Sequence, residues 1–122
     1  MRWLSALIVG IAFVAAQTTL WGGDHVRLTV TRSGAELEFD CAAGTITETV
    51  PETDGAFSLT GTFTPERSGP SRDDRSRTAA ATFSGTIERD TLTLHIVLKG
   101  QDREIGPYVL SRGAAGTLRK CR

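Results

Sequence analysis

The 122-residue chain carries 14 Lys and Arg against 14 Asp and Glu, a balance that argues against broad electrostatic binding to nucleic acid or acidic lipid. Its length suits one domain rather than several. With two cysteines and two histidines, none in a CxxC or Cys/His spacing, it does not resemble a metal-built scaffold.

Residues 1–16 read as a signal peptide. Arg2 supplies one positive charge, Trp3 to Ala16 is almost wholly apolar, and Val14-Ala15-Ala16 gives the small-residue site for cleavage before Gln17. A lipid anchor needs cysteine as the first mature residue, where this chain has Gln17. The competing reading is an uncleaved anchor extended through Leu20 and Trp21 towards the roughly 20 residues that span a bilayer; the polar Gln17-Thr18-Thr19 interrupts that run. Residues 17–122 are then a single periplasmic or secreted domain with no membrane span in its mature form, one unit negative once Arg2 is removed.

After residue 20 the dominant signal is alternation of apolar and polar residues, the period of half-buried strands. A two-residue turn at Ser33-Gly34 predicts Val30 opposite Leu37, Leu28 opposite Phe39 and Val26 opposite Cys41 on one face, with Thr29 opposite Glu38 and Arg27 opposite Asp40 on the other. Strands are then expected near 45–50 and 56–64, the latter placing Phe57, Leu59, Gly61 and Phe63 on one face, with Pro51 and Gly55 framing the turn between them. Residues 65–77 hold no apolar side chain other than prolines and read as a solvated connector or binding loop.

A turn at Arg89-Asp90 pairs Ile87 with Leu92, Gly85 with Leu94, Phe83 with Ile96 and Ala81 with Leu98. Strands at 108–112 and 117–121 complete the chain. Eight short strands in meander order predict an all-β fold, a small antiparallel up-and-down barrel that removes exposed sheet edges. Gly61 and Gly85 stand where such strands would bend. In an exported protein the even pair Cys41 and Cys121 reads as a disulfide closing a loop of roughly 80 residues, worth about 4 to 5 kcal/mol by chain entropy.

Trp21-Gly22-Gly23-Asp24-His25, then Phe39-Asp40-Cys41-Ala42-Ala43-Gly44-Thr45-Ile46, then Ser111-Arg112-Gly113 and the late Cys121 together resemble a family of short exported bacterial proteins to which no activity is assigned. The resemblance spans essentially the whole mature chain. Ala43 stands where members of that family often carry a histidine, so no site built on that histidine carries over. A broader likeness is to lipocalin-like barrels, in which a tryptophan opening the first strand plugs one end beneath an arginine from the last strand. That likeness implies Trp21 as the plug and Arg119 or Arg112 as its cover.

Candidate chemistry is sparse. Asp24, His25 and Asp40 form the best polar cluster, although Arg27 beside them favours ion pairing over metal binding. Ser84 faces His95 in the predicted register, the nearest approach to a nucleophile–base pair, with no oxyanion donors in view. No catalytic residue, metal site or cofactor is assigned. The leading expectation is a noncatalytic binding module acting through barrel mouth and loops on a protein, in the manner of an inhibitor, or on a small ligand. A carrier of a small apolar ligand inside the barrel, and a weak hydrolase or metal-dependent enzyme using His25 or His95, are the alternatives.

Overall fold

The structure, a computed structural model, describes residues 18–66, 78–101 and 103–121. The predicted signal peptide and most of the 65–77 connector lie outside the described residues. Eight antiparallel strands close into an up-and-down barrel: β1 (Thr19–Gly23), β2 (Val26–Val30), β3 (Ala35–Phe39), β4 (Ala42–Ile46), β5 (Gly55–Pro65), β6 (Ala79–Glu88), β7 (Thr91–Leu98) and β8 (Glu104–Arg112). No helix among the described residues is long and apolar enough to cross a membrane.

The expected alternation sets which side chains turn inward. Val26, Leu28 and Val30 of β2, Leu37 and Phe39 of β3, and Leu92, Leu94 and Ile96 of β7 are all buried, and Phe83 lies at the centre with no exposed surface. Among the described residues no polar or charged residue is buried. Gly44 gives Phe83 its room: a Cβ there would stand 3.3 Å from the tip of the ring, so the small residue of one strand meets the large residue of another. At Gly61 and Gly85 a Cβ would run into the carbonyls of Thr45 and Thr93 on neighbouring strands, so both positions allow the close backbone approach their predicted bends require.

The β6–β7 hairpin has the predicted register, with Ile87 opposite Leu92 and Phe83 opposite Ile96. Its two-residue turn holds Arg89 at a positive φ of 56°. The first hairpin differs. Its loop is Thr31 to Gly34, closed by bonds from the Thr31 amide (2.8 Å) and hydroxyl (3.2 Å) to the Gly34 carbonyl. Val30 therefore faces Ala35, Leu28 faces Leu37, and Val26 faces Phe39. The slip is two residues, which leaves the side chains of β2 and β3 on their predicted faces, but Cys41, expected inward opposite Val26, is instead exposed in the turn after β3.

Three further expectations are corrected. The strand placed at 45–50 is instead β4, Ala42–Ile46, because the chain reverses at Asp40-Cys41 immediately after Phe39, which pairs with Ala42. The strand placed at 117–121 is not formed; Thr117 makes only an isolated bridge to Asp24. The eighth strand is instead β1, which pairs with β2 along its length and closes the barrel against β8 through Trp21 opposite Arg112 and Gly22 opposite Ser111. The β8 strand also starts earlier than predicted and carries a bulge. Leu94 faces Tyr108 and Ile96 faces Ile105, so Gly106 and Pro107 together oppose His95. Proline has no amide hydrogen to give the ladder, and a bulge absorbs that loss.

Residues 113–121 form a strap over the outside of the barrel. The strap leaves the end of β8, where the Gly113 amide donates to the Leu20 carbonyl at 2.6 Å. It lies so close on β1 that a Cβ at Gly22 would collide with the backbone of Ala114 to Gly116. Arg27 Nε donates to the Ala115 carbonyl at 2.6 Å, and His25 and Thr117 amides bond the carbonyls of Thr117 and Gly23. Cys121 then joins Cys41 in the predicted disulfide, with Cα atoms 5.2 Å apart.

Replacing Phe83 by Ala removes the largest fully buried side chain, and a cost of about 3 to 5 kcal/mol is expected for such a truncation. Urea unfolding should show a lowered midpoint with an unchanged slope; a midpoint within a few tenths of a molar unit of the parent would contradict the central role given to this ring.

Candidate functional site

The two ends of the barrel are built differently. At one end Trp21, only 2 % exposed, is covered by Arg112, whose Cζ stands 4.4 Å from the indole centroid. Arg112 Nε bonds Asp90 Oδ1 at 3.2 Å and Nη2 donates to the Arg89 carbonyl at 3.1 Å, so the guanidinium is held over the ring by the β6–β7 turn. The crevice beside Trp21 is only about 10 Å³. Of the two arginines considered for the cover, Arg112 fills the role, because it is the direct cross-strand partner of Trp21. Arg119 sits elsewhere, its amide donating to Asp40 at the other end.

That other end gathers the β1–β2, β3–β4 and β7–β8 turns and is open. A recess of about 470 Å³ is lined by His25, Phe39, Asp40, Cys41, Ala42, Phe63 and Tyr108. A second, of about 590 Å³, runs from Phe63 past Pro65, Leu98 and Ile105 to Gln101, Arg103 and Glu104. Phe63 belongs to both. Phe39 forms the floor with its neighbours: its ring centroid is 5.5 Å from Phe63 and 5.2 Å from Tyr108, both in tilted geometry.

Local backbone constraints assemble the rim. The β1–β2 turn holds His25 at φ 68°, a left-handed conformation that histidine adopts more readily than bulky β-branched residues. His25 Nδ1 then meets Asp40 Oδ2 at 2.5 Å. The other Asp40 oxygen accepts the Arg119 amide at 2.8 Å, while the Asp40 carbonyl accepts the Cys121 amide at 3.0 Å. The Arg119 amide foremost, with His25 and the Arg119 charge adding to it, holds the Asp40 carboxyl below the ordinary aspartate value against the opposing effect of burial. Tyr108 moves the other way: burial, then the charge of Asp40, raises its phenol. Lys120 Nζ donates to the Phe39 carbonyl at 3.0 Å and stands 3.5 Å from Glu66, pinning the end of the strap beside the floor.

The predicted polar cluster is thus brought together in part. His25 and Asp40 pair directly, while Asp24 turns to the strap, where it accepts the Thr117 hydroxyl at 3.3 Å. Arg27 pairs with Glu38 at 3.2 Å rather than with Asp40, as the two-residue slip of the first hairpin requires. Ser84 does face His95, whose Nδ1 lies 2.7 Å from Glu104 Oε1. Among the described residues no group of three or more His, Cys, Asp or Glu is placed to hold a metal ion.

Sequence reasoning missed Tyr108, Lys120, Glu66 and Glu104 as members of this region. Parity could have found Phe39 and Phe63 at one end of their strands, but the Gly106-Pro107 bulge breaks the alternation that would have carried Tyr108 with them. No protein-family model, curated protein or solved structure matches the chain.

Because the Asp40 carboxyl is lowered in the folded state, its charge contributes stability above the unfolded aspartate value, about pH 4, and that contribution disappears as pH falls through the folded value. Asp40→Asn should therefore lower the urea midpoint at neutral pH and converge with the parent in strong acid. Parallel midpoint curves across that window would show that the carboxylate does not anchor the strap.

Proposed function

We propose that this is an exported, noncatalytic binding module whose open barrel mouth takes an apolar group, aromatic or aliphatic, from a small ligand or from a side chain of a partner protein. The observation that carries the reading is the asymmetry of the two ends. One is closed by Trp21 and Arg112 around a crevice of about 10 Å³, with a recess of about 360 Å³ beside the β2–β3 loop lined mainly by threonine, serine and glutamate, and the other opens into two adjoining recesses on the Phe39, Phe63 and Tyr108 floor. Concave sites of this kind, mostly apolar with a few placed polar groups, are the usual form of a ligand pocket.

The packing supports the mouth over the barrel interior as the place of binding. Phe83, Leu28, Leu37, Leu94 and Ile96 fill the cylinder, so a guest carried inside would have to displace them. The stacked Trp21–Arg112 pair supports the likeness to lipocalin-like barrels. Export fits the Cys41–Cys121 bridge, a bond that persists in oxidising compartments, and the amino-terminal sequence that reads as a signal peptide.

The test is an amide NMR titration of the oxidised protein with 4-methylphenol, a mimic of both an aromatic ligand and a tyrosine side chain. Shifts should cluster at Ala42, Phe63 and Tyr108 and leave the Trp21 indole in place; Tyr108→Ala should weaken the interaction by a factor of about ten. Shifts centred on Trp21, or spread evenly over the barrel, would overturn the assignment of the mouth.

A further inference from the structure

One cluster lies beyond the Phe39, Phe63 and Tyr108 floor, on the outer wall, and shares only Glu104 with the second recess of the mouth. Ser84, His95 and Glu104 stand on three adjacent strands, β6, β7 and β8, in that order around the barrel. Ser84 is the direct cross-strand partner of His95. On the far side, His95 Nδ1 approaches Glu104 Oε1 to 2.7 Å, a short contact that is not aligned as a hydrogen bond. With Nδ1 engaged towards β8, Nε2 is the ring nitrogen left for a partner on the β6 side, where Ser84 stands opposite. Serine, base and carboxylate in that sequence are the parts of an activated nucleophile, and the contacts between such parts are often loose before a substrate binds.

The surroundings fit this role. The β8 bulge of Gly106 and Pro107 lies directly opposite His95, and bulges recur beside reactive sites because they re-aim side chains. The His95 side chain is one-third exposed and that of Glu104 about half, so a reagent can reach them. Ser58 is the partner of Ser84 on its other side, in β5, and has no histidine opposite it. It is an internal control of the same chemistry on the same surface.

We propose that Ser84 is a reactive serine that accepts an acyl group from an activated ester, with His95 as the base and Glu104 as the residue that orients it. Ser84 Oγ attacks the carbonyl carbon while its proton passes to His95 Nε2. The bond from that carbon to the leaving oxygen breaks, its electron pair departs with that oxygen, and the proton on His95 passes to it. The products are an ester on Ser84 and a free phenol or alcohol, with the imidazole returned to its starting form. Among the described residues nothing on this open wall supplies a built oxyanion hole, so the step is stoichiometric and restricted to donors with a good leaving group. This site shares Glu104 with the edge of the mouth but has no part in its aromatic floor, and the failure of either reading leaves the other standing.

The experiment treats the oxidised protein with p-nitrophenyl acetate and maps the acetyl groups by peptide mass spectrometry over a time course. Acetyl should appear on Ser84 well ahead of Ser58, and His95→Gln should slow its appearance at least about 10-fold, the modest end of general-base effects. Glu104→Gln should slow it less, and circular dichroism of each variant should match the parent, since all three side chains lie outside the core. Equal labelling of Ser58 and Ser84, labelling confined to lysines and the amino terminus, or an unchanged rate in a folded His95→Gln variant would overturn the proposal.

Discussion

Eight short strands enclose one narrow cylinder, and how that cylinder is filled governs everything else in the molecule. Phe83 is fully buried within it, its ring tip against Gly44 two strands away, in one cluster with leucine and isoleucine side chains from β2, β3 and β7. Interiors packed to this density leave little room for a guest, and each inward methylene is felt. Chemistry and recognition are thereby moved outward, to the ends and the outer wall. One end is closed by the stacked Trp21 and Arg112; the other opens into recesses over a floor of buried Phe39 and Phe63 and half-buried Tyr108.

The strap couples the sequence ends of the domain to that open end. It begins beside Arg112 and finishes at Asp40 and Cys41, so the disulfide, the Asp40 carboxylate and the Lys120 ammonium all act on one short crossing. Hydrogen bonds with one charged partner are stronger than those between neutral groups, and here the Arg119 amide on the Asp40 carboxylate and the Lys120 ammonium on the Phe39 carbonyl meet a covalent constraint within a few residues. The rim of the mouth is therefore built jointly by a turn of the barrel and by a segment that belongs to none of its strands.

How much of this was legible before the structure depends on how many independent signals each element carried. The β6–β7 hairpin was readable in full because the alternation of Phe83, Gly85 and Ile87 with Leu92, Leu94 and Ile96 fixed the face and the two-residue turn at Arg89-Asp90 fixed the register. The first hairpin was readable in parity but not in register, since a slip of two residues leaves Leu28 and Leu37 inside either way. Both β1 and β4 escaped because Thr-Leu-Trp-Gly-Gly and Ala-Ala-Gly-Thr-Ile offer small residues where alternation should be strongest, and small residues are what their crowded settings need. Of the candidate site, His25 and Asp40 were visible as a pair of polar residues near two turns. Their contact depends on the Asp40-Cys41 reversal, and the Glu104–His95 contact lies beside the bulge of Gly106 and Pro107; neither feature announces itself in a linear pattern.

The seam between β1 and β8 has a bearing on how the chain reaches this state. In a meander every other pairing joins consecutive strands, but Trp21 and Arg112 meet from opposite extremities of the domain. The entropy of bringing such distant segments together must be spent before their contacts return anything, which sets a late and cooperative closure apart from the zipping of local hairpins. Without that seam the first and last strands would be two bare edges and the barrel an open sheet.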